Sequence, residues 1–116
     1  MVTPSAGSVV LVTFPFSDLT QTKLRPAVVL ARASRSDWIL CQITSKPYSD
    51  SRATEINDSS FKSGSLRLVS FARPGKLFTG NDSLIVAGVG KLRTAVFKEI
   101  IEAVVGLLRE ASRVSS

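Results

Sequence analysis

Arg25 stands where a polar stretch runs into an apolar one, with Pro26 directly behind it. Proline fixes its own φ and biases the preceding residue towards extended backbone, so the guanidinium projects from a defined strand entrance. A planar five-donor cation held this way suits phosphate oxygens better than a swinging lysine. The surrounding residues, Phe14-Pro15-Phe16-Ser17-Asp18-Leu19 and then Lys23-Leu24-Arg25-Pro26-Ala27-Val28-Val29-Leu30, read as a loop and then a strand carrying a positioned arginine. The rest of the inventory narrows what that arginine can do. There are no histidines and one cysteine, which removes a His/Cys zinc site, histidine acid–base catalysis and any Ser–His triad. Neither GxxxxGK(S/T) nor GxGxxG occurs, so no nucleotide-cofactor motif is present. What remains is chemistry by Arg, Lys, Thr, Ser and carboxylates, with no metal and no cofactor. One reaction suits that set. RNA carries its own nucleophile, a 2′-OH that attacks the adjacent phosphate and expels the 5′-oxygen. A protein need only align the strand, stabilise charge on the phosphorane and assist proton transfer. Arginine supplies the charge stabilisation, and a hydroxyl or backbone N–H at a strand end completes the anion cradle.

The elements that must hold such a site are mostly strands. Ser8–Phe14 and Pro26–Arg32 are β-branched and nearly continuous in apolar residues, as strands covered on both faces require. Asp37–Ile43 is a third strand, set off by the turn-prone Ala33-Ser34-Arg35-Ser36. Ala53–Ile56 suits a short edge strand. Leu66–Phe71 alternates and is predicted to be a half-buried strand with Arg67, Val69 and Phe71 on one face. Gly80-Asn81-Asp82 forms the turn before a last strand, Leu84–Val89. The period then changes. Phe97, Ile100, Ile101, Val104, Leu107 and Leu108 share one helical stripe, and Thr94 is a candidate N-cap without a capping box. The predicted architecture is one domain: a small, largely antiparallel curled sheet or barrel over about 7–93, closed by one C-terminal helix over about 94–110.

At 116 residues, 44% of them hydrophobic, the chain builds one modest core and does not read as disordered. No apolar run approaches a membrane span, and the opening Met-Val-Thr-Pro-Ser-Ala-Gly has neither a basic head nor an apolar region, so a soluble, cytoplasmic protein is expected. Cys41, alone in an apolar run, reads as a buried thiol. Trp38, in the same run, reads as core or dimer interface, whereas Tyr48, in a polar loop, is the better base-stacking candidate. The net charge of +6 is unevenly placed: residues 1–93 hold 12 Lys/Arg against 6 Asp/Glu, and residues 94–116 hold 3 against 3. The excess recurs in loop-like segments (Lys23/Arg25, Arg32/Arg35, Lys46/Arg52, Arg73/Lys76), which favours a polyanion-binding face. An acidic protein partner would exploit the same field.

The run FPFSDLTQTKLRPAVVLA closely resembles the first hairpin of MazF/PemK-type toxins, small bacterial ribonucleases of toxin–antitoxin pairs. Ile43-Thr44-Ser45 resembles the family's second motif and puts Thr44 on its catalytic threonine. Without the resemblance, Thr-Ser at a strand end is simply a turn-forming pair. Ser70-Phe71-Ala72-Arg73-Pro74 resembles the segment where some members carry further catalytic polar residues, and it makes Arg73 the third candidate. There the chain departs from the pattern: the position two residues beyond the arginine, an aspartate base in some members, is Gly75. Proton transfer then falls to Arg25 with solvent, or to Asp18, which otherwise reads as a loop cap.

The resemblance implies an SH3-like barrel homodimer that cleaves single-stranded RNA without a metal. The products would carry a 2′,3′-cyclic phosphate and a 5′-OH, and an acidic cognate antitoxin would cover the groove. Arg25, Thr44 and Arg73 are the catalytic candidates. Asp18, Thr22, Lys23, Ser45, Lys46, Tyr48 and Lys76 are the RNA-binding candidates. A second reading keeps the fold and loses the chemistry, as in CcdB-like gyrase poisons that act by binding protein. A third has the barrel only bind nucleic acid. Neither gives Arg25 and Thr44 a role.

Overall fold

Val9-Val10-Leu11-Val12 and Ala27-Val28-Val29-Leu30 offer no polar residue to either side, so strands built from them need cover on both faces. The structure, a computed structural model, describes residues 4–15, 22–46 and 50–114. Its strands are β1 (Ser8–Pro15), β2 (Thr22–Arg32), β3 (Asp37–Thr44), β4 (Thr54–Ile56), β5 (Phe61–Gly64), β6 (Ser70–Asn81) and β7 (Ile85–Leu92). Short 3-10 turns at Asp58–Ser60 and Asp82–Leu84 precede β5 and β7, and helix α1 (Thr94–Val114) closes the chain. The strands form one antiparallel sheet in the order β4-β6-β3-β2-β1-β7-β5, rolled into a half-barrel. Register shifts interrupt the β1–β7, β2–β3, β3–β6 and β5–β7 ladders, and bulges of this kind bend and twist the strands that carry them.

The curl provides the two-sided cover. On one face Val9, Val28, Cys41, Ile43 and Ala72 pack beneath Ile100 and Val104 of α1. On the other, Val10, Val12, Ala27, Val29, Trp38 and Leu40 close against Phe78 and Ile85. Trp38 belongs to that second core; its Nε1–H donates to Asp82 Oδ1 at 2.6 Å, and Arg32 stacks 4.7 Å from its ring centre. Gly64 ends β5 at φ +74, where a Cβ would stand 2.1 Å from the Val89 carbonyl oxygen, so only glycine lets β5 pair this closely. The helix starts one residue ahead of expectation: the Arg93 carbonyl accepts from Phe97 N–H at 3.0 Å, which makes Arg93 the cap and Thr94 the first helical residue. No described helix is long and apolar enough to cross a membrane.

Several predicted elements differ: β5 had no predicted counterpart, and Gly80 and Asn81, read as part of a turn, still pair with Trp38 and Asp37 at the end of β6. Residues 66–69 are not strand; β6 begins at Ser70, and Leu68 and Val69 are 66% and 52% exposed. Alternation suggested a strand there, but no neighbouring strand pairs with this stretch, whose apolar side chains wall a groove instead. β6 then runs on through Arg73-Pro74-Gly75-Lys76. Pairing jumps from Ile43↔Ala72 to Cys41↔Leu77, so this segment bulges out opposite Gln42. Pro74, which has no N–H to offer a ladder, is fully buried in the bulge.

Candidate functional site

The hairpin of β2 and β3 decides which polar residues meet. Its ladder runs to the pair Ala27↔Gln42, and Arg25 and Thr44 each lie two residues further on. Alternation keeps Arg25 on the side of Ala27 and Val29, and Thr44 on the side of Leu40 and Gln42. Those residues are direct partners, so Arg25 and Thr44 share one face of the sheet, away from the helix. Both also line one open groove of about 280 Å³ at the strand ends, together with Ser45.

Each is held by its neighbours. Arg25 is half-buried and paired with Val12 of β1. Thr44 is 8% exposed, pairs with Phe71 of β6, and its Oγ1 accepts the Lys46 N–H at 3.2 Å. That bond turns the chain sharply after β3 and occupies one lone pair of the hydroxyl. The hydroxyl proton remains for an acceptor elsewhere.

Arg73 opens the β6 bulge, just past the ladder pairs Thr44↔Phe71 and Ile43↔Ala72. It does not line the groove. Its Nε–H donates to Asp50 Oδ2 at 3.1 Å in a half-buried ion pair, and its carbonyl accepts the Cys41 thiol proton at 3.2 Å. Burial pushes that thiol from 9.0 up to about 12, so Cys41 is an inert core group.

Of the proposed RNA-binding residues, Lys23, Ser45, Lys46 and Lys76 are exposed. Lys23 pairs with Phe14 and Thr22 with Pro15 at the outer end of the β1–β2 ladder. Asp18 and Tyr48 lie outside the described residues. Two further groups enter the picture. Asp50, from the segment before β4, was unsuspected because 23 residues separate it from Arg73 and no motif links them. Arg67 sits in the groove wall between Leu66 and Leu68, is exposed, and has no carboxylate partner among the described residues. Read as one position of an alternating strand, it carried no signal. Its place as a second guanidinium in the groove follows from 66–69 being a loop. Leu24, 51% exposed, Leu66 and Leu68 give the same groove apolar surface beside its cations. The combination fits a phosphodiester with its bases: cations for the charge, a positioned hydroxyl, and apolar patches for ring faces.

A sequence model of the family described as PemK-like, MazF-like toxin of type II toxin–antitoxin system matches residues 5–108. No curated protein matches the chain significantly. Among solved structures, a MazE–MazF complex from Deinococcus radiodurans is similar at 20% identity, TM-score 0.72, covering 90% of this chain and 95% of its own. An endoribonuclease in complex with its cognate antitoxin from a mycobacterial species is similar at 14% identity and TM-score 0.70, covering 91% and 95%. The toxin MazF-mt6 of Mycobacterium tuberculosis is similar at 14% identity and TM-score 0.62, covering 82% and 91%.

Proposed function

Because the chain belongs to the PemK-like, MazF-like toxin family of type II toxin–antitoxin systems, we propose that it is an endoribonuclease that cleaves single-stranded RNA at the Arg25–Thr44 groove. The observation that carries this reading is the convergence of Arg25 and Thr44 on one sheet face and in one groove. A protein-directed poison has no use for that pairing.

In the proposed reaction the 2′-oxygen forms a bond to phosphorus as the bond to the 5′-oxygen breaks. The ends are a 2′,3′-cyclic phosphate and a 5′-OH. Arg25 donates two N–H groups to the non-bridging oxygens as their charge grows, and Thr44, its oxygen already engaged by Lys46 N–H, donates its hydroxyl proton to the same centre. Arg73 is the third catalytic candidate. Its ion pair with Asp50 puts a carboxylate beside Arg73, two residues before the position where some members of the family carry an aspartate and this chain has Gly75. The 2′ proton passes to water, and water reprotonates the departing 5′-oxygen. Lys23, Ser45, Lys46 and Lys76 hold flanking phosphates, with Asp18, Thr22 and Tyr48 completing the strand path. The reaction needs no metal, since the substrate brings the nucleophile and arginine neutralises the charge. The toxin works as a cytoplasmic homodimer whose protomers share the groove, and an acidic antitoxin holds it inactive. The exposed apolar rim of Leu24, Leu68 and Val69 and the net charge of +6 support both associations.

Purified protein incubated with end-labelled single-stranded RNA in excess EDTA is expected to cut it. The same RNA with 2′-deoxyribose at the cleaved nucleotide should bind and stay intact. Cleavage that stops on chelation, or that proceeds at the deoxy position, overturns the mechanism.

A further inference from the structure

A second groove, about 300 Å³, adjoins the first across the Leu66–Val69 segment. Leu66, Arg67 and Leu68 line both, so the segment is a shared wall carrying one cation. The opposite wall of the second groove is the turn Asn57-Asp58-Ser59. That turn is fixed from several sides. Asn57 Oδ1 accepts from Ser59 N–H at 2.9 Å and from the Ser59 hydroxyl at 2.6 Å, and Asn57 Nδ2 donates to Glu55 at 3.0 Å. Arg93 clamps it from beneath, its Nε–H donating to the Ser59 carbonyl at 2.9 Å and its backbone N–H to the Ser60 carbonyl at 2.9 Å. The Asn57 side chain is therefore consumed by structure. The Asp58 side chain is exposed and has no partner among the described residues.

We infer that this second groove is a base-reading subsite of the RNA path, in which Asp58 selects guanine and Arg67 holds the phosphate between the two grooves. The inference rests on the reading of the first groove as the cleavage site, and it deepens that reading by naming what sets sequence preference. The chemistry of the carboxylate makes the choice of base. An ionised carboxylate only accepts hydrogen bonds. Guanine alone presents two adjacent donors, N1–H and the N2 amino group, to both oxygens at once. Cytosine and adenine place an acceptor beside their single amino group, and uracil flanks its one N–H with two carbonyls. Leu68, 66% exposed, offers an apolar surface for the base plane, and Arg67 neutralises the phosphate that links one groove to the next.

The test uses the whole protein and its Asp58→Asn and Arg67→Ala variants, in two arms. In the first, an unstructured RNA of balanced composition is digested and the cut sites are sequenced. Wild type should show guanine enriched at one fixed position close to the cut, and Asp58→Asn should lose that enrichment while still cutting. In the second, labelled 2′-O-methyl oligouridine carrying a single guanine, inosine or adenine is titrated by fluorescence anisotropy. Guanine should bind about 10- to 100-fold tighter than adenine, with inosine between, and Asp58→Asn should flatten the series. Arg67→Ala should weaken all three oligomers equally and lower the log–log salt slope by about 0.7. Cut sites and binding series unchanged in Asp58→Asn refute the base-reading subsite while leaving the nuclease reading intact. Guanine preference in binding, lost in Asp58→Asn, from a protein that cuts nothing would keep the subsite and sink the nuclease reading.

Discussion

Replacing Arg25 with Lys isolates geometry from charge. The net charge stays +6, so the long-range field that gathers RNA is untouched. What changes is local. Arg25 is half-buried at the point where the β2–β3 ladder stops, between its β1 partner Val12 and the face that carries Thr44. From that anchorage a guanidinium offers two parallel N–H donors to two phosphate oxygens, while an ammonium offers one at a time from a flexible stem. The donor matters most when the phosphorane's charge peaks, so the loss should fall on the chemical step rather than on binding. Deleting one preorganised donor of this kind lowers rates by roughly 10²–10³-fold, about 3–4 kcal/mol of transition-state stabilisation. The assay is single-turnover cleavage of a short end-labelled single-stranded RNA in EDTA, with saturating protein so that only chemistry is read. Anisotropy on the 2′-deoxy analogue should give a Kd within about threefold of wild type, and the thermal midpoint should not move. Wild-type cleavage rates from Arg25→Lys would refute the reasoning. Arg25 would then be a half-buried strand residue with no part in the chemistry, and a protein-binding role would explain the chain better.

Thr44→Ala should slow single-turnover cleavage comparably and leave RNA affinity nearly unchanged, because the hydroxyl acts on developing charge and water can satisfy the exposed Lys46 N–H it releases. Neutralising Lys46 or Lys76 should do the reverse, weakening binding and flattening the log–log salt dependence by about 0.7 for each phosphate no longer neutralised, read by anisotropy across a salt series. Ile100→Ala, which empties a site 1% exposed between α1 and the sheet, should lower stability by about 2–5 kcal/mol in urea melts. Leu108→Ala, on the same stripe but 60% exposed, should change it by under about 0.5 kcal/mol. The Cys41 thiol, raised from 9.0 to about 12, is protonated in the folded protein where the unfolded chain ionises. The native state thus binds more protons above pH 9, and this contribution to stability is lost as pH climbs through that range. Urea midpoints should fall more steeply between pH 9 and 10.5 in wild type than in Cys41→Ala; parallel profiles would contradict it.

Where one strong physical signal dominated a segment, the fold could be read directly. β1, β2 and β3 announced themselves through apolar runs that only two-sided burial explains, and the core gives them that burial from the helix on one face and from Phe78 and Ile85 on the other. The stripe from Phe97 to Leu108 likewise had a single interpretation. Signals failed where local pattern and tertiary need diverged. Pro74 and Gly75 look like the end of a strand, yet β6 passes through them because a bulge opposite Gln42 requires neither a donor from Pro74 nor bulk at Gly75, where a Cβ would meet Leu107 of α1 at 3.7 Å. β5 contributes only Phe61 to the core, too little to raise a period. Arg67 was legible as a cation but not as a groove residue, since its position depends on a loop that alternation disguised as a strand. The Asp50–Arg73 pair joins separate segments through space, and nothing in the local sequence of either predicts the other.

The meeting of Arg25 and Thr44 is itself a matter of register. From Val29↔Leu40 to Ala27↔Gln42 the paired residue numbers sum to 69, and carrying that register two residues further sets Arg25 against Thr44. Nearer the turn the pairs are Ala31↔Ile39 and Arg32↔Trp38, which sum to 70. The difference is one unpaired residue, Leu30, whose side chain drops into the core beneath the helix. A regular hairpin holding the register of its turn would set Arg25 against Ser45 and Thr44 against Pro26. Because a slip of one residue sends a side chain to the opposite face, Thr44 would then face the helix while Arg25 faced away. The bulge therefore does more than curl the sheet. It converts two motifs nineteen residues apart into neighbours on one surface, which explains why an apolar residue with no hydrogen-bonding role of its own sits at the origin of the proposed active site.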